Sequence, residues 1–152
     1  MRGLFTRAWR DERGTAVLEL GIAAPILACL VIGMTDVSNA YSRKLALEQG
    51  AQRAIEKQMQ TTENDTPEDT IKSEAALQAD VNVSDVTVGY NLYCDGVLTT
   101  PYSSECPPGQ IEARYLIVTV SDSYRPIFPI RFGPTQADGT YLVSATAGMR
   151  TE

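Results

Sequence analysis

The chain of 152 residues contains no histidine. Imidazole is the base of Ser-His-Asp and Cys-His nucleophile systems and a common zinc ligand, so its absence excludes those hydrolases and the usual histidine-containing zinc sites. A Gly-rich phosphate loop with its lysine is also missing from the sequence. The scattered carboxylates, such as Asp95, Glu105, Glu112 and Asp122, show no spacing that favours paired-carboxylate catalysis. We therefore expect a protein that is not an enzyme and has no metal or other cofactor.

Basic side chains are scarce as well. Lys and Arg number 13 against 19 Asp and Glu, which gives a formal charge of −6. Nucleic-acid binding depends on a basic patch that neutralises phosphates, so no nucleic-acid partner is expected. The length allows one modest domain and an appendage, and it excludes two domains with separate cores.

Charge is almost missing from residues 16–34, where Glu19 is the only charged residue. A helix over this stretch extends roughly 28 Å, close to the ~30 Å hydrocarbon thickness of a bilayer. The preceding leader carries four arginines: Arg2, Arg7, Arg10 and Arg13. By the positive-inside rule, the N-terminus is expected in the cytoplasm and the rest of the chain outside. A cleavable secretory signal is the alternative, but no run of small residues that suits cleavage follows Met34.

An amphipathic helical pattern continues over residues 36–60. Apolar side chains recur there at three- and four-residue steps, at Val37, Tyr41, Leu45, Ala51, Ile55 and Met59. We expect one continuous helix from the membrane to about residue 60, kinked at Pro25 because proline removes an intrahelical hydrogen bond. The chain then divides into a basic leader (1–14), a transmembrane and extended helix (15–60) and an outer domain (61–152).

The outer domain is predicted to contain one short helix. Thr66 suits its N-cap and Pro67 its first position, followed by two acidic residues at the positive end of the helix dipole. The helix is expected to end before Asn82. Its expected apolar face consists of Ile71, Ala75, Ala76 and Ala79.

Beyond residue 80 the apolar residues alternate, which predicts strands over residues 81–92, 111–122 and 140–149. A bend or bulge is expected at Ser84 and Asp85. Residues 115–120 are apolar on both faces and predict the central, most buried strand. One face of the last strand consists of Tyr141, Val143, Ala145, Ala147 and Met149. The predicted fold class is α+β: a long N-terminal helix, then a small antiparallel sheet domain with one short helix.

The cysteines fall into two groups. Cys94 and Cys106 flank a loop rich in proline and glycine, whereas Cys29 lies in the apolar segment. If the outer domain lies outside the cytoplasm, a disulfide between the first two is allowed and would contribute about 2 to 3 kcal/mol. Two thiolates are too few for a metal site, and Cys29 suits a small apolar residue.

Gly14 separates the basic leader from the apolar helix, and Glu19 is the fifth residue after it. This arrangement resembles a type IV prepilin processing site, where a membrane aspartyl peptidase cuts after the glycine and the glutamate helps subunits join the filament. The resemblance implies cleavage between Gly14 and Thr15 and an assembly role for Glu19. A carboxylate in an apolar helix costs about 2.5 to 3.5 kcal/mol on insertion scales, and the freed amine of Thr15 is a natural partner. The alternative is an uncleaved anchor in which Glu19 snorkels to the interface.

Residues 13–27, Arg-Gly-Thr-Ala-Val-Leu-Glu-Leu-Gly-Ile-Ala-Ala-Pro-Ile-Leu, resemble the opening of the TadE/TadG-like pseudopilins of tight-adherence (Flp, type IVc) pilus systems. Residues 124–127 and 142–150 are similar to the closing part of these proteins. Major Flp pilins have tyrosine directly after the glutamate, where this chain has Leu20. The resemblance therefore implies a minor pilin or pseudopilin that acts in pilus assembly or initiation.

The same resemblance implies a single-pass protein of the bacterial inner membrane with a periplasmic C-terminal domain, in the assembly machinery or incorporated in an extracellular pilus. Its implied partners are a prepilin peptidase, other pilins or pseudopilins and the tight-adherence assembly platform, with energy from a separate cytoplasmic ATPase. The competing hypothesis is a membrane-anchored periplasmic binding domain unrelated to filaments. The mature N-terminus distinguishes the two.

A last segment, residues 125–134, combines three prolines with Ile127, Phe128, Ile130 and Phe132. The prolines exclude a regular central strand. Two interpretations stay open: a loop that covers the core, or an exposed apolar patch that meets another pilin or the membrane surface.

Overall fold

The computed structural model describes residues 12–60, 67–127 and 133–151. Helix α1, Glu12–Gln60, is continuous over 49 residues and contains Pro25. It confirms the prediction of one helix from the apolar segment to residue 60. Only the second half of α1 contributes to the hydrophobic core, through Leu47, Ala51, Ala54 and Ile55.

The buried side of α1 differs from the predicted one. Of the six predicted apolar positions, only Ala51 and Ile55 are buried. The others are exposed: Val37, Tyr41, Leu45 and Met59. The side of α1 that meets the rest of the domain passes instead through Asp36, Arg43 and Leu47, because both charged residues have hydrogen-bond partners there. A pattern of apolar residues alone cannot identify such positions.

Helix α2, Glu68–Ala79, packs against the second half of α1. It begins one residue later than predicted: Pro67 occupies the N-cap position and no side chain caps the helix. Thr66, the predicted cap, lies outside the described residues. The helices approach closely at Gly50, where an added Cβ would stand 2.6 Å from the Ala79 Cβ. The predicted apolar face is confirmed, since Ile71, Ala75, Ala76 and Ala79 are all buried.

The described residues also form a four-stranded antiparallel sheet in the order β2-β1-β3-β4. The strands are β1 Val86–Cys94, β2 Val97–Thr99, β3 Glu112–Tyr124 and β4 Tyr141–Arg150. The first predicted strand starts too early, because Val83–Asp85 form a 3₁₀ turn and β1 begins only at Val86. The short strand β2 was not predicted; it pairs with the end of β1 through a turn in which Asp95 and Gly96 have positive φ.

One face of the sheet packs on the two helices. The members of this face in the core shared with the helices are Val86, Leu116, Val118, Val120 and Ala145, and Leu92 and Cys94 are buried farther along the same face. Strand β3 is an inner strand, as predicted, but it is not buried on both faces: Tyr115, Ile117 and Thr119 are only half-buried. The helices form a layer on one side of the sheet, so the apolar residues of the other face keep part of their exposure. The α+β class is confirmed.

Candidate functional site

The part of α1 from Val17 to Thr35 is apolar and no residue in it is buried, and it is called the apolar rod here. Within the described part of the chain, α1 is the one helix long and apolar enough to cross a membrane, and its most apolar 18-residue window has a mean hydropathy of 2.3 with no part buried. The large aliphatic side chains from Val17 to Ile32 are 40–72% exposed. An exposed apolar surface of this extent marks contact with a membrane or another protein, and its length and composition fit one bilayer crossing.

The predicted N-terminal site residues all lie near the beginning of α1. Gly14 and Thr15 belong to the first turn of α1, and Glu19 is exposed on the same helix. The next charged residue along the chain is Asp36. At ~1.5 Å per residue the two carboxylates are about 26 Å apart along the axis. They therefore mark the two ends of the uncharged segment.

Asp36 fastens the end of the sheet to the helix where the apolar segment ends. Its Oδ1 accepts hydrogen bonds from the Tyr124 hydroxyl at 3.0 Å and from the Ile127 backbone N–H at 2.8 Å. The side chain is only 8% exposed. Burial and the bond to Asp36 raise the pKa of Tyr124, so its hydroxyl stays protonated and able to donate well into the alkaline range. Sequence analysis did not single out Asp36; its place as the first charge after the apolar run was the available signal.

A second contact lies closer to the C-terminal end of α1 and joins α1, α2 and the sheet. The Arg43 guanidinium pairs with Asp122 of β3 and donates to the backbone carbonyls of Ala79 at 2.9 Å and Asp80 at 2.8 Å. These carbonyls belong to the C-terminal end of α2, where cations are favourable. Arg43 therefore fixes α2 and the sheet to one position of α1.

A groove of about 1020 Å³ opens between α1 and the Asp36 end of the sheet. Its lower wall is formed by residues of the apolar segment, including Cys29, Leu30 and Gly33. Its upper and outer walls carry three tyrosines, Tyr41, Tyr124 and Tyr141. The groove therefore begins on the bare rod and ends beneath the sheet.

The described residues include one of the four residues of the predicted interaction patch, Ile127. Ile127 is 67% exposed beside the groove, while its backbone is held by Asp36. Phe128, Ile130 and Phe132 lie outside the described residues. Leu142, near the start of β4 and at the same end of the sheet, is 66% exposed. Both open interpretations of residues 125–134 therefore remain, and Ile127 itself is an exposed apolar residue.

The opposite end of the sheet carries the predicted disulfide. Cys94 and Cys106 are bonded, with their Cα atoms 5.5 Å apart. Beside them Arg114 donates to Glu112 at 2.7 Å and to the carbonyls of Tyr102 and Ser104. The Cys106 N–H and the Arg114 side chain both donate to Glu112 and lower its pKa. These contacts fasten the Pro- and Gly-rich loop to β3.

Among the described residues no group of three or more Asp, Glu or Cys side chains is arranged to hold a metal ion. Cys29, the one unpaired cysteine, is exposed on the apolar rod. The features that the structure brings together are thus the rod, the Asp36 contact, the groove and the exposed apolar residues around it. Their common property is that they lie where the exposed apolar part of α1 meets the part that packs on the domain.

No protein family model, no curated protein and no solved structure matches the chain.

Proposed function

We propose that the protein is a minor pilin or pseudopilin that takes part in the assembly or initiation of a tight-adherence pilus, with no catalytic role of its own. The single observation that carries the proposal is the division of α1. Its first half contains Gly14, Thr15 and Glu19 and is exposed from Val17 to Thr35, whereas its second half holds a folded domain. A subunit that leaves the bilayer to enter a filament needs such a half, free of its own domain and able to pack elsewhere.

In this proposal the leader faces the cytoplasm, α1 crosses the bacterial inner membrane once, and the sheet domain lies in the periplasm. A prepilin peptidase cuts between Gly14 and Thr15, and the new Thr15 amine becomes available as a partner for the Glu19 carboxylate of the same or a neighbouring subunit. The disulfide supports this topology, because disulfides persist mainly in oxidising compartments. Other pilins and the assembly platform are the proposed partners.

Glu19 is the residue with which to test this function. It lies about 26 Å along the helix axis from Asp36, where the domain begins, so Glu19→Ala is expected to leave the domain folded. The variant should accumulate in the membrane, since removing a carboxylate from an apolar helix eases retention by up to a few kcal/mol. Pili should be absent or strongly reduced in the variant strain, as counted by electron microscopy.

Glu19→Gln is the matched control, because it keeps the shape and hydrogen bonding of the side chain and loses only the charge. Impaired piliation in this variant would assign the function to the ion pair. Normal piliation in both variants, with normal protein levels, would contradict the proposal.

The second candidate is a membrane-anchored periplasmic binding domain unrelated to filaments. It is favoured by the outer face of the sheet, where Tyr93, Tyr115 and Ile117 border a shallow cavity of about 400 Å³. Such a protein would keep its leader and would have no need of Glu19. Retention of Met1 to Gly14 together with normal membrane anchoring would favour it.

A further inference from the structure

We propose that the groove between α1 and the sheet is occupied by phospholipid of the bilayer that α1 crosses, so that the lower end of the sheet domain rests in the membrane surface. This inference rests on the membrane crossing in the proposed function and is independent of filament assembly. It concerns described residues of the groove, the Asp36 contact and Ile127.

The Asp36 contact sets the height of the domain above the bilayer. Asp36 lies two residues, or about 3 Å along the axis, beyond Met34 at the end of the apolar segment. Its bonds to the Tyr124 hydroxyl and the Ile127 N–H hold the end of β3 and the following residues at that level. The sheet therefore cannot stand clear of the membrane on a length of free helix.

The groove extends across the hydrocarbon boundary. Cys29, at its lower end, lies about 8 Å below Met34 along the axis, and Tyr41, at its upper end, lies about 10 Å above. The interfacial layer of a bilayer is roughly 5 to 8 Å thick on each side. The groove thus has one part within the hydrocarbon and one part at headgroup level. A phospholipid is divided in the same way, into acyl chains and a headgroup.

The walls match this occupant chemically. The lower part is lined by Leu30, Gly33 and Met34. The upper part has Tyr41, Tyr124 and Tyr141, and tyrosine is enriched where a membrane meets water. Ile127 and Leu142, both about two-thirds exposed, lie on the same end of the sheet.

A second copy of the chain is a weaker candidate for the groove. Lipid tails are as apolar as leucine, so a neighbouring helix would gain no hydrophobic free energy by replacing them there. Acyl chains, in contrast, already surround the bare half of α1 on every side wherever it crosses a bilayer. Phospholipid is therefore the occupant that the position and chemistry of the groove favour.

Single-tryptophan variants of the full chain test the inference. In a Trp9→Phe background, tryptophan is introduced by Ile127→Trp beside the groove and by Tyr141→Trp in its wall. Val97→Trp is the matched control, since Val97 and Ile127 are both 67% exposed and lie at opposite ends of the sheet. Leu30→Trp reports the membrane crossing itself. Each variant is reconstituted in phosphatidylcholine and phosphatidylglycerol vesicles, with and without bromine on the acyl chains.

We expect bromolipid to quench the fluorescence of the Leu30→Trp, Ile127→Trp and Tyr141→Trp variants and to leave that of Val97→Trp unchanged. Suppose that Leu30→Trp is quenched while Ile127→Trp and Tyr141→Trp remain as bright as Val97→Trp. This result would overturn the inference and leave the membrane crossing intact. An unquenched Leu30→Trp would overturn both the inference and the membrane crossing. Should Tyr141→Trp fail to fold, the exposed Ile127 position still tests whether this end of the sheet rests in the membrane surface, and an unquenched Ile127→Trp overturns the inference.

Nanodiscs that hold one copy each distinguish lipid from a second copy. If lipid fills the groove, quenching of Tyr141→Trp, in the groove wall, by bromolipid is the same in these discs as in densely loaded vesicles. Quenching that is weak in loaded vesicles and strong only at one copy per disc would show that another copy displaces the lipid, and would overturn the proposed occupant.

Discussion

The two halves of α1 belong to one uninterrupted helix and yet meet different surroundings. From Val17 to Thr35 no side chain is buried, and no part of the most apolar 18-residue stretch is buried against the rest of the chain. From Asp36 onward the helix holds Arg43, Leu47 and Ala51 against α2 and the sheet. The comparison teaches that apolar sequence alone does not determine burial within the protein. The more apolar half is the exposed one, and its length and composition fit a bilayer crossing.

The largest difference between the halves is expected from the same substitution made in each. Leu47 is fully buried and Leu30 is 59% exposed. Leu47→Ala should lower the free energy of unfolding of the sheet domain by about 2 to 5 kcal/mol, because it leaves a cavity in the core. Leu30→Ala should change it by less than about 0.5 kcal/mol. Denaturant unfolding of the purified chain in detergent, followed by tyrosine fluorescence, measures both. Similar losses would show that the first half also packs on the domain.

A smaller effect is expected where the halves meet. Asp36→Ala leaves the Tyr124 hydroxyl and the Ile127 N–H without this acceptor and should cost about 1 to 3 kcal/mol in the same assay. Asp36→Asn keeps an acceptor oxygen and should cost less. Thr35→Ala is the neighbouring control: the exposed Thr35 hydroxyl donates only to the Val31 carbonyl of its own helix. If the Asp36→Ala variant is as stable as the Thr35→Ala variant, the claim that Asp36 connects the helix to the sheet is wrong.

The smallest effect concerns the end of the sheet farthest from the membrane segment. Hydrogen bonds from Cys106 and Arg114 lower the pKa of Glu112 below its ordinary value of 4.5. A carboxyl group with a lowered pKa stabilises the folded state above its unfolded pKa, and this contribution is lost as the pH falls through the lower folded value. Acid titration of unfolding should therefore show a small loss of stability below pH 4.5 that is absent in Glu112→Gln. An identical pH dependence in both proteins would contradict the assigned cause.

The parts of the fold that could be predicted from sequence are those set by periodicity and length. The helix to residue 60, the apolar face of α2, three of the strands and the disulfide follow from repeating apolar positions and from paired cysteines around a turn-rich loop. The three-residue strand β2 is too short to show alternation, and its pairing depends on the turn at Asp95 and Gly96. The single helical layer that leaves Tyr115 half-exposed is a property of the whole fold, which no local pattern records.

The candidate site was predictable only in part, for a different reason. Gly14, Thr15 and Glu19 were selected by their local spacing at the border of an apolar segment, and their roles stay predictions. Asp36 and Arg43 were not predicted as contact residues, because the apolar pattern of α1 does not include charged positions. Their partners, Tyr124 and Asp122, are 88 and 79 residues away in the chain, and only the fold brings them together.

The state of the N-terminus tests the proposed role of the bare half most directly. Intact-mass analysis of the protein isolated from membranes of a strain with active prepilin peptidase should find a chain that begins at Thr15. Loss of residues 1–14 removes four Arg, one Asp and one Glu, so the formal charge moves from −6 to −8 before the termini are counted. A chain that retains Met1 to Gly14 in that strain would contradict the proposed function and leave α1 as a permanent anchor.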